Sequence, residues 1–336
     1  MNLRPVNEVL DKTKVLLRLD LDLPFSGNLI LDNSRLKKSL PTINLLLSKG
    51  CKIVVMGHRG RPQGPDENLS LKAVYLELMS LLEPSGENYI ESVFLSDISL
   101  DKVDQALAIN QIVFLENLRF WPGEEANDPT FLEPLTLLCQ AYVNDAFAVA
   151  HRAHASITFW KKMPAFYGQS FVDEYSHLEK LTNPQRPLTL VLGGAKEDKL
   201  KHIEKLSTLC DHILIGGKLP NFLSLSNSKI IPATLTPDGF DIDADSIVKF
   251  GEIISSSKTV IWAGAMGFYE DPKYKNGTEK IASIIAISSA YKVIAGGDTS
   301  SSVSSLGLKD EFDFICSGGG VLLEFLVKPN LPAWSN

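Results

Sequence analysis

The chain reads as an α/β protein of two domains, each built on a parallel sheet, with a helical connector between them. Three observations predict this. Its 336 residues exceed what one hydrophobic core usually serves. Short β-rich runs alternate with helical stretches, the plan of βαβ units and so of parallel sheets. The segment FVDEYSHLEKLTNPQRP, residues 171–187, is helical in pattern and closes on Asn-Pro and Arg-Pro, as a connector between halves would.

In chain order the strands are KVLLRLDL from Lys14, CKIVVMGH from Cys51, QIVFLENL from Gln111 and AYVNDAF from Ala141 in the first half. LTLVLGG from Leu188, HILIGG from His212, TVIWAGA from Thr259, YKVIAGG from Tyr291 and FDFICSGGG from Phe312 follow in the second. Several end directly in Gly, Asp, Asn or His, and in open α/β sheets the carboxyl ends of strands face the ligand crevice. The first half carries Arg4, Arg18, Arg35, Arg59, Arg61, Arg119 and Arg152, leaving Arg186 at the connector. The second ends its strands in glycines: Gly193-Gly194, Gly216-Gly217, Gly296-Gly297 and Gly318-Gly319-Gly320. Guanidinium forks suit carboxylate and phosphate, whereas backbone amides in glycine turns suit a polyphosphate, so two anionic ligands on two domains are expected.

A formal charge of -7 argues against nucleic acid or a membrane surface as partner. The four cysteines, Cys51, Cys139, Cys210 and Cys316, form no C-x-x-C pair and fit reduced thiols in a packed core. The start MNLRPVNEVLDKTK has no apolar signal region, and no apolar run reaches the length of a membrane span, so a cytoplasmic protein is expected.

In KVLLRLDLDLP, Leu19, Leu21 and Leu23 alternate with Arg18, Asp20 and Asp22, which places both aspartates on one strand face at its carboxyl end. Two solvated carboxylates account for that pair. So does the D-x-D strand end on which haloacid-dehalogenase-like phosphatases carry an aspartyl nucleophile, although GGDTSSS has Ser302 where their late G-D-x-x-x-D needs an Asp. Three further stretches join histidine or arginine to strand-end turns: GHRGRP at 57–62, ENLRFWPGEE at 116–125 and NDAFAVAHRAHAS at 144–156. One such arginine alone is more often a surface residue. Converging on one crevice, Arg61, Arg119 and Arg152 with His58 suit a small phosphorylated carboxylate. His151 and His154 flank Arg152 but have no carboxylate or cysteine beside them at metal-ligand spacing.

Taken in order over nearly the whole chain, these motifs resemble phosphoglycerate kinase. RLDLDLP at 18–24 is similar to the family's R-V-D-F-N-x-P, DNSRL at 32–36 to D-x-x-R-I, and GHRGRP to S-H-x-G-R-P. ENLRFWPGEE is similar to E-N-x-R-F-x-x-G-E-E, and YVNDAFAVAHRAHAS at 142–156 to Y-V-N-D-A-F-x-x-A-H-R-x-H-A-S. The resemblance implies that Asp20, Asp22, Arg35, His58, Arg61, Arg119 and Arg152 form the pocket for 3-phosphoglycerate or 1,3-bisphosphoglycerate. Asp22 stands where the family has Asn. An added carboxylate beside a trianion weakens binding unless it is hydrogen-bonded or paired, and Arg59 is a nearby candidate partner.

GGAKEDK at 193–199 resembles the nucleotide-phosphate turn G-G-A-K-x-x-D-K with one residue fewer between its lysines, Lys196 and Lys199. It is not a P-loop, whose G-x-x-x-x-G-K-[ST] spacing the chain lacks. Read as a helix start, i and i+3 still share a face. WAGAMGFYE at 262–270 is similar to W-N-G-P-M-G-x-x-E, with Ala263 for Asn, Ala265 for Pro and Glu270 at the ribose position. IGGKLPNF at 215–222 has Lys218 for a third glycine after Gly217, and DIDADSI at 241–247 aligns Asp243 with a glycine that lies against the nucleotide. GGDTSSSV and SGGGVLLEF place Asp298 at the magnesium nucleotide, Thr299 beside it, and Gly318, Gly319 and Gly320 as an anion cradle at a helix start. The implied nucleotide set is therefore Gly193, Gly194, Lys196, Lys199, Gly217, Glu270, Gly296, Gly297, Asp298 and Thr299, with Asp298 at the metal. The implied catalytic set is Arg35, Lys199, Gly297, Gly318 and Gly319.

The fold so implied is two Rossmann-like three-layer domains with parallel sheets joined by a hinge helix. Residues 1–171 form the 3-phosphoglycerate domain with a return segment at 325–336, and residues 172–324 the hinge helix and nucleotide domain. The chain is shorter than usual for the family, mostly between residues 222 and 240. The implied reaction is reversible phosphoryl transfer from 1,3-bisphosphoglycerate to MgADP, giving 3-phosphoglycerate and MgATP in glycolysis. A cytoplasmic monomer whose domains close is expected to carry it out, without nucleic-acid or membrane partners. Two rival readings stand beside it: a catalytically impaired binding member of the family, given Asp22, Ala263, Lys218 and the shortened lysine turn, and the phosphatase.

Overall fold

The computed structural model describes residues 3–83 and 89–334. The chain divides into two compact units, residues 1–175 with 330–336, and residues 176–329. The helix Gln169–Lys180 runs across the division. The helix Gly319–Val327 lies wholly in the second unit, and residues 330–336 return to the first. Ser335 and Asn336 of the expected return segment lie outside the described residues.

The first unit holds β1 (Lys14–Leu19), a hairpin of β2 (Phe25–Ser26) and β3 (Leu29–Ile30), β4 (Lys52–Met56), β5 (Ser92–Leu95), β6 (Ile112–Leu115), β7 (Ala141–Asp145) and β8 (Ala165–Tyr167). Outside the hairpin these form one all-parallel sheet in the order β5-β6-β4-β1-β7-β8. Parallel strands covered on both faces need near-continuous apolar sequence, which VLL, IVVM and IVFL supply. The two-residue period then divides the side chains. Val15, Leu17 and Leu19 pack with Leu36, Ile43 and Leu46 of the helix Ser34–Ser48. Leu16, Val54 and Tyr142 pack with Val103 and Leu107 of the helix Leu100–Ile109. Helices on both faces make three layers.

The second unit holds β9 (Leu188–Leu192), β10 (His212–Ile215), β11 (Ile230–Pro232), β12 (Thr259–Ala263), β13 (Tyr291–Ala295) and β14 (Phe314–Cys316), all parallel, in the order β11-β10-β9-β12-β13-β14. Counted within the unit this is 3-2-1-4-5-6, the Rossmann order, whose switch point falls between β9 and β12. Val191, Leu214, Trp262 and Ile294 pack with Phe250 and Ile254 of the helix Ala244–Ser256 and Ile281 and Ile285 of the helix Asn276–Ile287. The nine expected strands are all present. Besides the short hairpin β2-β3, the three unforeseen strands, β5, β8 and β11, are sheet edges, where part-exposed residues leave only a weak apolar run, and β11 closes on Pro232, which an edge tolerates.

The C-terminal segment packs within the first unit. Ala333 donates its amide to the Ala150 carbonyl at 3.1 Å, Tyr167 Oη donates to the Ala333 carbonyl at 3.1 Å, and the Trp334 ring meets Phe147 and Phe171. The helix Gln169–Lys180 is anchored by a carboxylate from β7. Asp145 Oδ1 accepts from the Phe171 amide at 2.9 Å, and Gly168 leaves it room, since a Cβ there would stand 2.2 Å from the carboxyl carbon.

Burial pushes Asp145 up to about 7, against the opposing hydrogen bonds of Thr42 and the Phe171 amide. The folded state therefore keeps a proton that the unfolded chain sheds near pH 3.8. This contribution to stability is full below the unfolded pKa and is lost as pH rises through the folded one. Asp145→Asn retains an acceptor and cannot ionise, so its stability relative to the parent is expected to climb across that window and then level off. Urea midpoints of both proteins at about pH 5 and about pH 8 check this; a difference independent of pH counts against it.

Candidate active site

In the first unit the loops after β1, β4, β6 and β7 emerge from the carboxyl end of the sheet. β1 stops at Leu19, so Asp20 and Asp22 follow the strand rather than lying on its face. Both oxygens of Asp20 accept from Arg35 Nη1 at 2.9 Å. Asp20 is also the main cause that raises the Arg35 pKa, against desolvation. The carboxylate thus positions a guanidinium.

Beneath these loops runs a buried polar chain. Arg18 is wholly buried; its Nε donates to Ser156 Oγ at 2.9 Å and its Nη2 to His58 Nδ1 at 2.8 Å, while Ser156 Oγ donates to Glu124 Oε1 at 2.6 Å. A guanidinium only donates, so His58 Nδ1 accepts and the imidazole proton sits on Nε2. Desolvation, then Arg18, Arg119 and Arg152, hold His58 well below its ordinary pKa, leaving it neutral at pH 7. His154 is lowered to about 4, by burial first and then by Arg119 and Arg152.

Arg119 is buried, with Nε 3.0 Å from Glu125 Oε1 and Nη1 donating to the Gly60 carbonyl. Its Nη2 is buried without a hydrogen-bond partner among the described residues. Desolvation lowers its pKa to about 10, with Arg152 adding to the effect, and Arg152 in turn is lowered by burial and by Arg61. Clustered guanidiniums with an unused buried donor match what an anionic ligand supplies. Asp22 Oδ1 accepts from the Gly60 amide at 2.9 Å, fixing the GHRGRP turn. The expected partner, Arg59, instead lies 3.3 Å over the centre of the Phe25 ring and donates to the Ser70 carbonyl at 3.2 Å.

In the second unit the glycine turns are of two kinds. The amides of Gly193, Gly194 and Gly217 donate to the carbonyls of Ala263, Ala265 and Met266 at 3.1, 2.8 and 2.9 Å. A Cβ at Gly193 would stand 2.2 Å from the Ala265 oxygen, and one at Gly217 2.5 Å from the Gly194 nitrogen. These glycines let strand ends close on one another, which corrects the expectation that their amides face a polyphosphate. Gly296 and Gly318 differ. They cap the helices Gly297–Ser305 and Gly319–Val327 without a side-chain acceptor, so first-turn amides at Gly297 and Gly319 remain for an anion.

Lys199 closes a 3₁₀ turn, Glu197–Leu200, ahead of the helix Ile203–Leu209. Its Nζ donates to the Gly193 carbonyl at 2.7 Å and the Ala263 carbonyl at 3.4 Å, while Lys196 and Lys201 are exposed. Desolvation lowers the Lys199 pKa, opposed by Asp298 and Asp198. Thr299 Oγ1 accepts from the Gly264 amide at 2.7 Å and donates to the Ala295 carbonyl at 3.3 Å. Its hydroxyl therefore ties the β12 and β13 turns together.

A cavity of about 360 Å³ is lined by Gly194, Gly217, Lys218, Phe240, Phe268, Tyr269, Glu270 and Asp298 among others, a volume suited to a small ligand. It gathers Gly194, Gly217, Glu270 and Asp298 of the expected set; Gly193, Lys196, Lys199, Gly296, Gly297 and Thr299 are not on its wall. Phe240, Phe268 and Tyr269 were not anticipated, since an exposed aromatic carries no sequence signature. Asp243 is not on this wall; it caps the helix Ala244–Ser256, accepting from the Ser246 amide at 2.8 Å.

A family model described as phosphoglycerate kinase matches residues 6–238 and 226–328. The chain belongs to the phosphoglycerate kinase family. It is accordingly an enzyme, a phosphotransferase. The two matched stretches overlap at 226–238, within the stretch expected from sequence to carry the shortfall. The phosphoglycerate kinase of Herpetosiphon aurantiacus is 34% identical over 389 residues, covering 99% of this chain and 98% of that one. That of Dictyoglomus turgidum is 33% identical over 384 residues, covering 97% and 96%. Among solved structures, phosphoglycerate kinase from Coxiella burnetii gives a TM-score of 0.77 at 26% identity, with 99% of this chain and 97% of that one covered. The Pyrococcus horikoshii enzyme, at 24% identity and a TM-score of 0.83 over 99% and 97%, shares the fold. The phosphatase reading falls with this membership. Its D-x-D carboxylates are also both engaged, Asp20 by Arg35 and Asp22 by the Gly60 amide.

Magnesium fits the second unit's cavity through Asp298, a hard oxygen donor on the wall. Among the described residues no three His, Cys, Asp or Glu side chains cluster as a metal cage. One carboxylate completed by ligand phosphates is the usual magnesium arrangement.

Proposed function

We propose that the chain catalyses reversible phosphoryl transfer from 1,3-bisphosphoglycerate to a magnesium nucleoside diphosphate, ADP in the family's reaction, giving 3-phosphoglycerate and MgATP in glycolysis. The observation that carries this is the buried, unpartnered Arg119 Nη2 within the cluster of Arg61, Arg152 and His58. His58 Nε2–H and the Arg119, Arg152 and Arg61 guanidiniums hold the phosphorylated carboxylate. Asp20 orients Arg35, and Asp22 orients the turn that carries Arg61. Asp298 holds magnesium, which when bound neutralises phosphate charge. Glu270 takes the ribose, and Lys199 with the amides at Gly297, Gly318 and Gly319 faces the transferring group. Thr299, Gly193, Gly194, Gly217, Gly296 and Lys196 shape that half.

The acceptor oxygen is already anionic, so no general base is required and catalysis is positioning plus charge stabilisation. The impaired-member reading loses support from Lys199, which the short 3₁₀ turn aims at the glycine turn rather than at solvent. We read the protein as a cytoplasmic monomer without nucleic-acid partners; no helix among the described residues is long and apolar enough to cross a membrane. A coupled assay with purified protein, 3-phosphoglycerate and magnesium nucleotides tests the reaction. Binding of both ligands without turnover would return the chain to the impaired class.

Asp22→Asn keeps the acceptor for the Gly60 amide and removes a negative charge that Arg119 and Arg152 both feel. The KM for 3-phosphoglycerate is expected to fall while the nucleotide KM stays put. Steady-state kinetics that gave an unchanged or higher 3-phosphoglycerate KM would mean that the arginine cluster needs that charge.

A further inference from the structure

We propose that the cavity of the second unit is built for a 6-oxopurine, so that GDP and GTP are used in preference to ADP and ATP, and that Lys218 is the residue that reads the base. The proposal rests on reading this cavity as the nucleotide site. Asp298 marks its phosphate side. Three aromatic residues, Phe240, Phe268 and Tyr269, share the wall with small glycines and alanines: Phe240 and Phe268 are 39% and 49% exposed, and their rings are 6.4 Å apart. Large apolar rings beside a cavity offer a stacking surface for a flat ligand.

Lys218 shares this wall. Its amide donates to the Gly194 carbonyl at 2.9 Å, which fixes the backbone at the start of the 3₁₀ turn Leu219–Phe222, and its ammonium stands 5.2 Å from the Phe240 ring centre. Among the described residues the ring is the ammonium's one partner, whereas the neighbouring Lys273 is taken up by Asp238 and the Tyr274 hydroxyl. Among the described residues Lys218 is also the only lysine or arginine on the wall. An ammonium has three donors and no acceptor. The ammonium covers one face of Phe240, so a base seated in the cavity beside Phe268 and Tyr269 would meet it at an edge. Guanine and hypoxanthine offer two acceptors there, N7 and O6, while adenine offers N7 beside an amino donor that an ammonium cannot match. The cation thus favours the 6-oxo edge and disfavours the 6-amino edge.

The test measures kcat/KM for MgGTP, MgITP and MgATP with 3-phosphoglycerate, in the parent and in Lys218→Met, which keeps the apolar stem and removes the charge. The parent is expected to favour GTP and ITP over ATP by about tenfold. The two should behave alike, because hypoxanthine keeps N7 and O6 and lacks only the 2-amino group. Lys218→Met should bring the GTP to ATP ratio to unity or below. A parent that prefers ATP overturns the proposal. So does a ratio that Lys218→Met leaves unmoved, or ITP behaving like ATP, which would credit the 2-amino group instead. Absence of turnover with every nucleotide would remove the kinase reading itself, and calorimetric titration with MgGDP and MgADP would then decide the base preference independently.

Discussion

Arg35→Ala is expected to reduce turnover by a hundredfold or more while leaving the Kd for magnesium nucleotide within about twofold of the parent. Arg35 belongs to the first unit and its proposed role is at the transferring phosphoryl group, so its contribution should appear in kcat and not in nucleotide binding. A trivial cause must be separated. Removing Arg35 strands the Asp20 carboxylate, whose side chain is only 10% exposed, and an unpaired, largely buried charge can distort the loop that carries it. Arg35→Ala combined with Asp20→Asn answers this, because the second change neutralises the stranded group. If turnover stays low in the double variant the loss belongs to the guanidinium. Recovery to within about threefold of the parent would assign it to loop distortion and sink the catalytic role.

Much of the fold was legible because a buried parallel strand has a sequence signature that does not depend on its neighbours. β6, β7, β9 and β12 are buried at every position, and each was visible as an apolar run ending in a polar or glycine turn. The edges β5, β8 and β11 were not, since their residues divide between core and solvent. Alternation misled at the end of β1. It carried the strand on through Asp20 and Asp22 and could not show that Arg18, in phase with them, has 0% exposure and is held by Ser156 and His58, partners that lie 138 and 40 residues away in sequence. A buried arginine is recognisable only from its partners, and spacing along the chain cannot supply them.

The same limit applies around the second cavity. Glycine pairs announced tight turns, but whether an amide faces a ligand or a neighbouring carbonyl depends on strand order. Gly193 and Gly194 are turned toward the β12 side by the pairing of β9 with β12. Residue identity at Asp243 gave a charge near the nucleotide, and helix capping took that charge elsewhere, because an Asp three residues before Ser246 satisfies an otherwise open amide. Lys218, which sequence could name only as a substitution, acquires meaning from its 5.2 Å approach to Phe240, a residue that sequence did not single out.

Lys199→Ala is expected to cost on the order of a hundredfold or more in kcat, and Lys201→Ala little, as when a positioned cation is removed from developing charge. Losing one residue between the lysines would turn a side chain on an α-helix by about 100°. The chain avoids this penalty by winding residues 197–200 as a tighter 3₁₀ turn, which carries Lys199 inward while Lys196, ahead of the turn, stays exposed. Lys199 therefore reaches inward to the Gly193 carbonyl, and glycines keep its path open: a Cβ at Gly264 would stand 2.3 Å from Nζ, and one at Gly194 2.9 Å. Lys201 is exposed and lines a different depression, with Glu197, Asp198 and Phe222. Because the ammonium also bridges Gly193 and Ala263, a fall in activity could arise from a loosened turn. Lys199→Met, which keeps the apolar stem, should be as slow as Lys199→Ala if charge is what matters, with an unchanged urea midpoint. Substantial activity in Lys199→Met would identify packing as the role. A larger loss from Lys201→Ala than from Lys199→Ala would show that the pairing of this turn with the family's second lysine is off by two residues.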